Sequence, residues 1–160
     1  VSYLYEASVP VAGIEEKSAQ VAKLFQVKQQ LGATNVRLEE IQLGIQAMKN
    51  AAGVANTNAR DFAHLGAQLQ LVVNQVSLVL NGNSALAAEE FETTEGLNEL
   101  FGSAYYSCMD ALNAPTQTHL QKLDLVNGSL LKINAQLNDV VKQYNDMASQ
   151  YPMLRLPVLR

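Results

Sequence analysis

The sequence predicts an all-α protein: an elongated helical bundle with three long antiparallel helices, a shorter helical segment and extended apolar termini. Three observations carry this. From Leu123 to Tyr151, apolar residues fall at Leu123, Val126, Leu130, Ile133, Leu137, Val140, Tyr144, Met147 and Tyr151. The steps alternate three and four, which is the a/d seam of a helix packed lengthwise against others. A similar seam runs through Leu24, Val27, Leu31, Leu38, Ile41, Ile45 and Met48, with Thr34 in one slot. The flanks are amide and hydroxyl rather than charge, as in Asn127, Ser129, Asn134, Gln136, Asn138, Gln143 and Asn145. Charged residues make up 16% of the chain, against about 25% in an average domain. Either the polar surface is buried against neighbouring subunits, or this is a low-charge extracellular protein.

The 160 residues suffice for one domain with a real core. It divides into an arm over 1–13, a bundle over 14–151 and a tail over 152–160. A net charge of −4 with scattered Lys and Arg argues against a nucleic-acid partner, which needs a clustered basic face. No apolar run reaches the ~18 to 20 residues that span a bilayer. The longest, Leu69 to Leu80 and Leu97 to Leu112, are interrupted by Gln, Asn or Gly. Cys108 is alone, so no internal disulfide is expected, and a lone Cys among apolar helical neighbours reads as a small buried hydrophobe. Because the sequence begins at Val1 rather than Met, it is processed, a fragment or part of something longer.

Taken in order, Val1 to Gly13 is rich in Tyr and Val and closed by Pro10 and Gly13, which fits an extended arm. The first long helix is expected over Ile14 to Ala51, with Glu15 and Glu16 favouring its positive end and Gly32 marking a site for a kink. At ~1.5 Å per residue it approaches ~55 Å. After a turn over Ala52 to Thr57, the next helix carries Phe62, Leu65, Leu69, Val72, Val76 and Val79. A second stripe of Leu71, Val73, Leu78 and Leu80 widens its apolar face and puts it at the centre of the bundle. Asn81-Gly82-Asn83 reads as its C-cap. A short helix over Ala85 to Glu92 and another over Glu95 to Leu112 follow. Pro115 and Thr116 open the last long helix, and Pro152 stops it.

No motif carries chemistry. His64 and His119 have no second ligand at zinc spacing, although Asp61 lies three residues before His64. The acidic cluster Glu89, Glu90, Glu92, Glu95 and Glu99 lacks the Asp/Asn/Gly spacing of a cation loop and reads as a solvated face. Cys108 could in principle pair with a distant histidine as a nucleophile, but Tyr105, Tyr106 and Met109 around it suggest packing. No phosphate loop, dinucleotide fingerprint or nucleophile elbow occurs. The Asn127-Gly128-Ser129 sequon falls inside a helix. Tyr105 and Tyr106 point two ways on a helix, which leaves one ring exposed or on a partner. No catalytic residue, metal or cofactor is expected.

The segment VPVAGIEEKSAQVAKLFQVKQQL, Val9 to Leu31, resembles the minor pilus (stalk-tip) proteins of type IV secretion systems. Those proteins combine a short apolar segment with Pro near the mature N-terminus and a long Gln-rich helix. The resemblance covers the first fifth of the chain and is compositional. It implies an elongated helical bundle with a smaller helical part, and a role in adhesion or assembly at a secreted pilus. The PMLRLPVLR tail matches no ending of that family.

The expected function is that of a non-enzymatic structural subunit of a multi-chain assembly, such as a secretion apparatus, pilus or virion. It would work through helix packing and the docking of apolar arms. The partner-binding residues expected are Tyr3, Leu4, Tyr5 and Val9 in the arm, and Met153, Leu154, Leu156, Val158 and Leu159 in the tail. Prolines keep both segments out of helices, and stranding their side chains in water forfeits about 1.5 to 3 kcal/mol each. The expected partners are protein subunits, in a homo-oligomer or larger assembly, at an extracytoplasmic location. The alternative is a secreted helical bundle acting on membranes as a pore-forming toxin component, with Leu69 to Leu80 as the membrane contact.

Overall fold

The computed structural model describes residues 11–54, 59–83, 95–109, 117–151 and 158–160, with side chains from Ser18 onward. Among the described residues there is no strand. Four helices account for nearly all of them: α1 (Val11–Val54), α2 (Ala59–Asn81), α3 (Leu97–Met109) and α4 (Gln117–Gln150). The expected short helix over Ala85 to Glu92 and the turn around Pro115 lie outside the described residues.

The start of α1 differs from expectation, because Val11, Ala12 and Gly13 are helical rather than part of the arm. Nothing there stops a helix. Each residue added to an existing helix gains a hydrogen bond, and a glycine costs only about 1 kcal/mol against Ala. The same argument explains why α1 runs unbroken through Gly32.

Side-chain pairs fix the directions of the helices. Lys23 pairs with Asp124, and the Thr34 hydroxyl lies 3.2 Å from Asn134 Oδ1, so a near-constant offset of 100 to 101 residues relates α1 to α4. A constant offset means that these two helices run parallel. α2 runs the other way. At its midpoint, Gln70 Oε1 accepts a hydrogen bond from Lys49 Nζ (3.0 Å), near the end of α1. At its end, Asn81 reaches the middle of α1 through Asn98 and Asn35. α3 keeps the direction of α2, since Asn98 is level with Asn35, and Tyr105 sits under Lys28, whose Nζ is 4.8 Å from the ring centroid. α2 and α3 therefore follow one another along the same length of α1.

Their junction is built from two glycines. Gly82 has φ 71°, and its N–H donates to the Leu78 carbonyl at 2.8 Å, a left-handed stop at the C-cap the sequence marks. The Gly96 carbonyl accepts the N–H groups of Glu99 (3.1 Å) and Leu100 (2.9 Å), which opens α3. A methyl on Gly96 would stand 2.5 Å from the Asn81 carbonyl carbon and from Gly82 N. Backbone thus meets backbone there, at a distance only glycine allows.

The core is a single cluster along these helices. The α4 seam positions Leu123, Val126, Leu130, Ile133, Leu137, Val140 and Tyr144 are all buried, with Met147 and Tyr151 packed against them. The α1 seam is buried too, and its Thr34 hydroxyl donates to the Gln30 carbonyl at 2.8 Å. In α2 the seam is shifted from the expected one. Phe62, Gly66, Leu69, Val73, Val76 and Leu80 face the core. Leu65 and Val72 are half-buried at its edge, and Val79, Leu71 and Leu78 are exposed. Gly66 explains part of this shift. Without a side chain it lets Met48 and Lys49 of α1 close onto α2, and a Cβ there would lie 3.4 Å from Lys49 Cγ. At the far end, Phe62 packs on Tyr151 with ring centroids 4.9 Å apart.

Candidate docking surfaces

The residues capable of chemistry are scattered. Cys108 is buried on the inner face of α3, and burial pushes its thiol pKa up, away from the reactive thiolate. His64 and Asp61 lie on the exposed side of α2, beside the end of α1 remote from Cys108. Among the described residues, no three His, Cys, Asp or Glu side chains converge as metal ligands, and no helix is long and apolar enough to cross a membrane. Of the tyrosine pair, Tyr105 is half-buried beneath Lys28 and against Phe101, while Tyr106 is exposed.

Of the arm and tail residues expected to bind a partner, Tyr3, Leu4, Tyr5, Val9, Met153, Leu154 and Leu156 lie outside the described residues. Val158 and Leu159 are described, and they part company. Leu159 is buried on its own chain, in the groove between α1 and α4, whereas Val158 beside it is 78% exposed. The grip on Leu159 is specific. Asn145 Nδ2 donates to the Leu159 carbonyl (2.9 Å), and the Leu159 N–H donates to Asn145 Oδ1 (3.2 Å). One side-chain amide thus satisfies both backbone groups of one residue, as a neighbouring strand would. The leucine side chain fills the place of a missing one on α1, since a Cβ on Gly44 would stand 2.9 Å from Leu159 Cδ2. Glu40, Leu43, Val158 and Arg160 border a cleft of about 310 Å³ beside it.

Farther along the same groove, Gln30, Thr34, Arg37, Leu131 and Asn134 line a second cleft of about 300 Å³. Two buried polar atoms there, Gln30 Oε1 and Arg37 Nε, have no hydrogen-bond partner among the described residues. An unpaired buried polar group costs about 1 to 3 kcal/mol, so this stretch of groove favours a polar guest.

The outer face of α1 carries a second apolar line. Phe25, Val36, Leu43 and Val54 are separated by steps of eleven, seven and eleven residues. At 3.6 residues per turn, each such step returns to within about 20° of the same line. The four form one stripe directly opposite the buried seam, with exposures from 46% at Phe25 to 78% at Val54. The spacing was present in the sequence, but a search for the strongest apolar face finds the inner seam and assigns the remainder to solvent. Comparison with protein-family models, curated proteins and solved structures finds no match for this chain.

Proposed function

We propose that the chain is a non-enzymatic structural subunit of a multi-chain assembly, exported to form part of a secretion apparatus, pilus or virion. In this reading it is an elongated rod of three long helices running up, down and up, with α3 extending α2 and apolar arms at the termini. The observation that carries the proposal is the stripe on α1. A helix of 44 residues is about 66 Å long at ~1.5 Å per residue, and four large apolar side chains lie along its outermost line. Single exposed apolar residues are ordinary on a protein surface, but a row aligned on one side of a long helix offers a second rod a line to pack along. The low charge of the flanks fits the same role, because amides desolvate more readily than ions when a second rod lies against them. The resemblance of Val9 to Leu31 to stalk-tip pilus proteins makes a secreted pilus the first assembly to test.

The measurement is solution mass by light scattering from micromolar to hundred-micromolar concentration. The parent should assemble. V36E combined with L43E should remain monomeric with unchanged helical content. A parent chain that stays monomeric throughout removes the proposal. The exposed Leu71 and Leu78 on α2 favour a second reading, contact with a lipid surface, for which dye leakage from liposomes is the readout.

A further inference from the structure

We propose that the cleft of about 300 Å³ between α1 and α4, lined by Gln30 and Arg37, binds an amino-acid carboxylate. Its ligand is a carboxylate with an N–H donor on the neighbouring carbon and a short apolar side chain. A free amino acid and the carboxy-terminal residue of a peptide share that chemistry. The site is independent of the assembly reading above: a chain that stays monomeric can bind this ligand, and a chain that assembles can fail to.

The carboxylate is called for by Arg37. Its side chain lines the cleft half-buried, and its Nε is wholly buried with no hydrogen-bond partner among the described residues. The ion pairs among those residues are Lys23 with Asp124 and Lys122 with Glu95, and neither involves Arg37. Glu40, about one turn farther along α1, borders the other cleft instead. Arginine does not lose its proton in a protein, so the charge stays, and a half-buried cation without a partner is unfavourable. Water can accept from the N–H but cannot neutralise the charge. A carboxylate does both, because Nε and one Nη of a guanidinium match its two oxygens. The net charge of −4 gives the chain no general pull on anions, so the attraction is local to Arg37.

The N–H donor is called for by Gln30. Its Oε1 lies in the same cleft, buried, and accepts no hydrogen bond among the described residues. A bare carboxylate on Arg37 leaves that oxygen unpaired, and a phosphate sets further negative oxygens against it. An N–H beside the carboxylate pairs it. An unpaired cation and an unpaired acceptor in one cleft therefore ask for a guest that carries an anion and a donor together, as an amino-acid residue does. The remaining wall is apolar. Ala33 and Leu130 line the cleft with Leu131, which is 64% exposed, so a short apolar side chain gains cover there. The volume lies at the lower end of the about 300 to 1,000 Å³ typical of small-ligand pockets, which suits one residue rather than a long segment.

The test titrates the full, isotope-labelled chain with N-acetyl-leucine and follows backbone amide resonances. At millimolar concentration the probe should shift the resonances of Thr34, Arg37 and Asn134 and leave those around Phe62 in place. N-acetyl-leucinamide, which lacks the carboxylate, and isocaproate, which lacks the N–H, should each bind at least tenfold more weakly. R37Q should weaken N-acetyl-leucine at least tenfold with helical content unchanged by circular dichroism. Q30L should abolish the advantage of N-acetyl-leucine over isocaproate. Free leucine and the tripeptide Ala-Ala-Leu then separate the two sources. Tighter binding of leucine assigns the site to a free amino acid, tighter binding of the tripeptide assigns it to a peptide end, and each supports the proposal. If no probe shifts Thr34, Arg37 and Asn134, the cleft holds water only and the proposal is overturned. Inorganic phosphate binding as tightly as N-acetyl-leucine overturns it too, as does undiminished binding by a folded R37Q chain. Should R37Q fail to fold, the ranking of the probes on the parent chain decides by itself.

Discussion

α4 and α2 are both amphipathic helices of one bundle, yet their inner faces were not equally readable. Every seam position on α4 from Leu123 to Tyr144 is buried as its spacing predicts. On α2, the seam lies one residue away from the expected line at three of six positions, where Gly66, Val73 and Leu80 take the places of Leu65, Val72 and Val79. The difference is one of spacing, not of hydrophobicity. α4 has neighbouring apolar pairs too, at Leu125 with Val126 and Leu130 with Leu131, but exchanging their members breaks the steps of three and four, so that line is the one that turns inward. α2 has neighbouring apolar pairs, Val72 with Val73 and Val79 with Leu80, and either member could serve. The choice was made by something no single-helix pattern contains, the approach of Met48 and Lys49 over Gly66.

Substitutions at paired positions of α2 test that difference most strongly. Leu69→Ala should destabilise by about 2 to 5 kcal/mol, whereas Leu71→Ala, two residues on but facing solvent, should stay within about 0.5 kcal/mol. The register itself is tested by Val73→Ala, expected to cost about 1 to 3 kcal/mol, against a smaller effect of Val72→Ala. Chemical denaturation reads both, and a larger effect at Val72 would restore the expected seam.

The next effect in size concerns the α2–α3 junction, which has no counterpart in α4. Gly96→Ala puts a methyl against the Asn81 and Gly82 backbone and should cost about 1 to 3 kcal/mol through forced displacement. Gly128→Ala in α4, where a methyl meets nothing within 4 Å, should stabilise by up to about 1 kcal/mol. Opposite signs for these two glycines would mark the junction as a built contact.

The smallest effect sharpens the picture of α4 itself. Tyr144 is fully buried, and its hydroxyl has no hydrogen-bond partner among the described residues. Tyr144→Phe should leave stability unchanged or raise it by about 1 kcal/mol. Burial also raises the Tyr144 pKa above its ordinary value of 10.0. As pH climbs past 10, the unfolded chain loses this proton first, so stability falls across the window between the unfolded and folded values. Tyr144→Phe should remove that share of the alkaline loss, as thermal melts between pH 9 and about 11 would reveal.

The all-helical class and the inner faces of α1 and α4 were thus legible in residue spacing. The junction was less so. Asn81-Gly82-Asn83 announced a stop, but that α3 would resume along the same side of α1 depends on Asn35 and Asn98, 63 residues apart. The seat of Leu159 was not legible either: Asn145 reads as one more polar flank, and only the fold brings it and Gly44 together over that residue.

The parallel run of α1 and α4 bears on how the chain is made. α1 meets α2 across a short connection, but its contacts with α4 join residues about 100 apart. Closing the larger loop is slower, and the local hairpin gains its contacts sooner. We therefore expect a nascent chain to hold a paired α1 and α2 while α4 is still being synthesised, with one side of the Leu24 to Met48 face open to water. In pulsed hydrogen exchange, amides around Ile45 and Leu69 should become protected before those around Ile133. During that interval the open face is a place where a holding chaperone, or an α4 from another molecule, can bind.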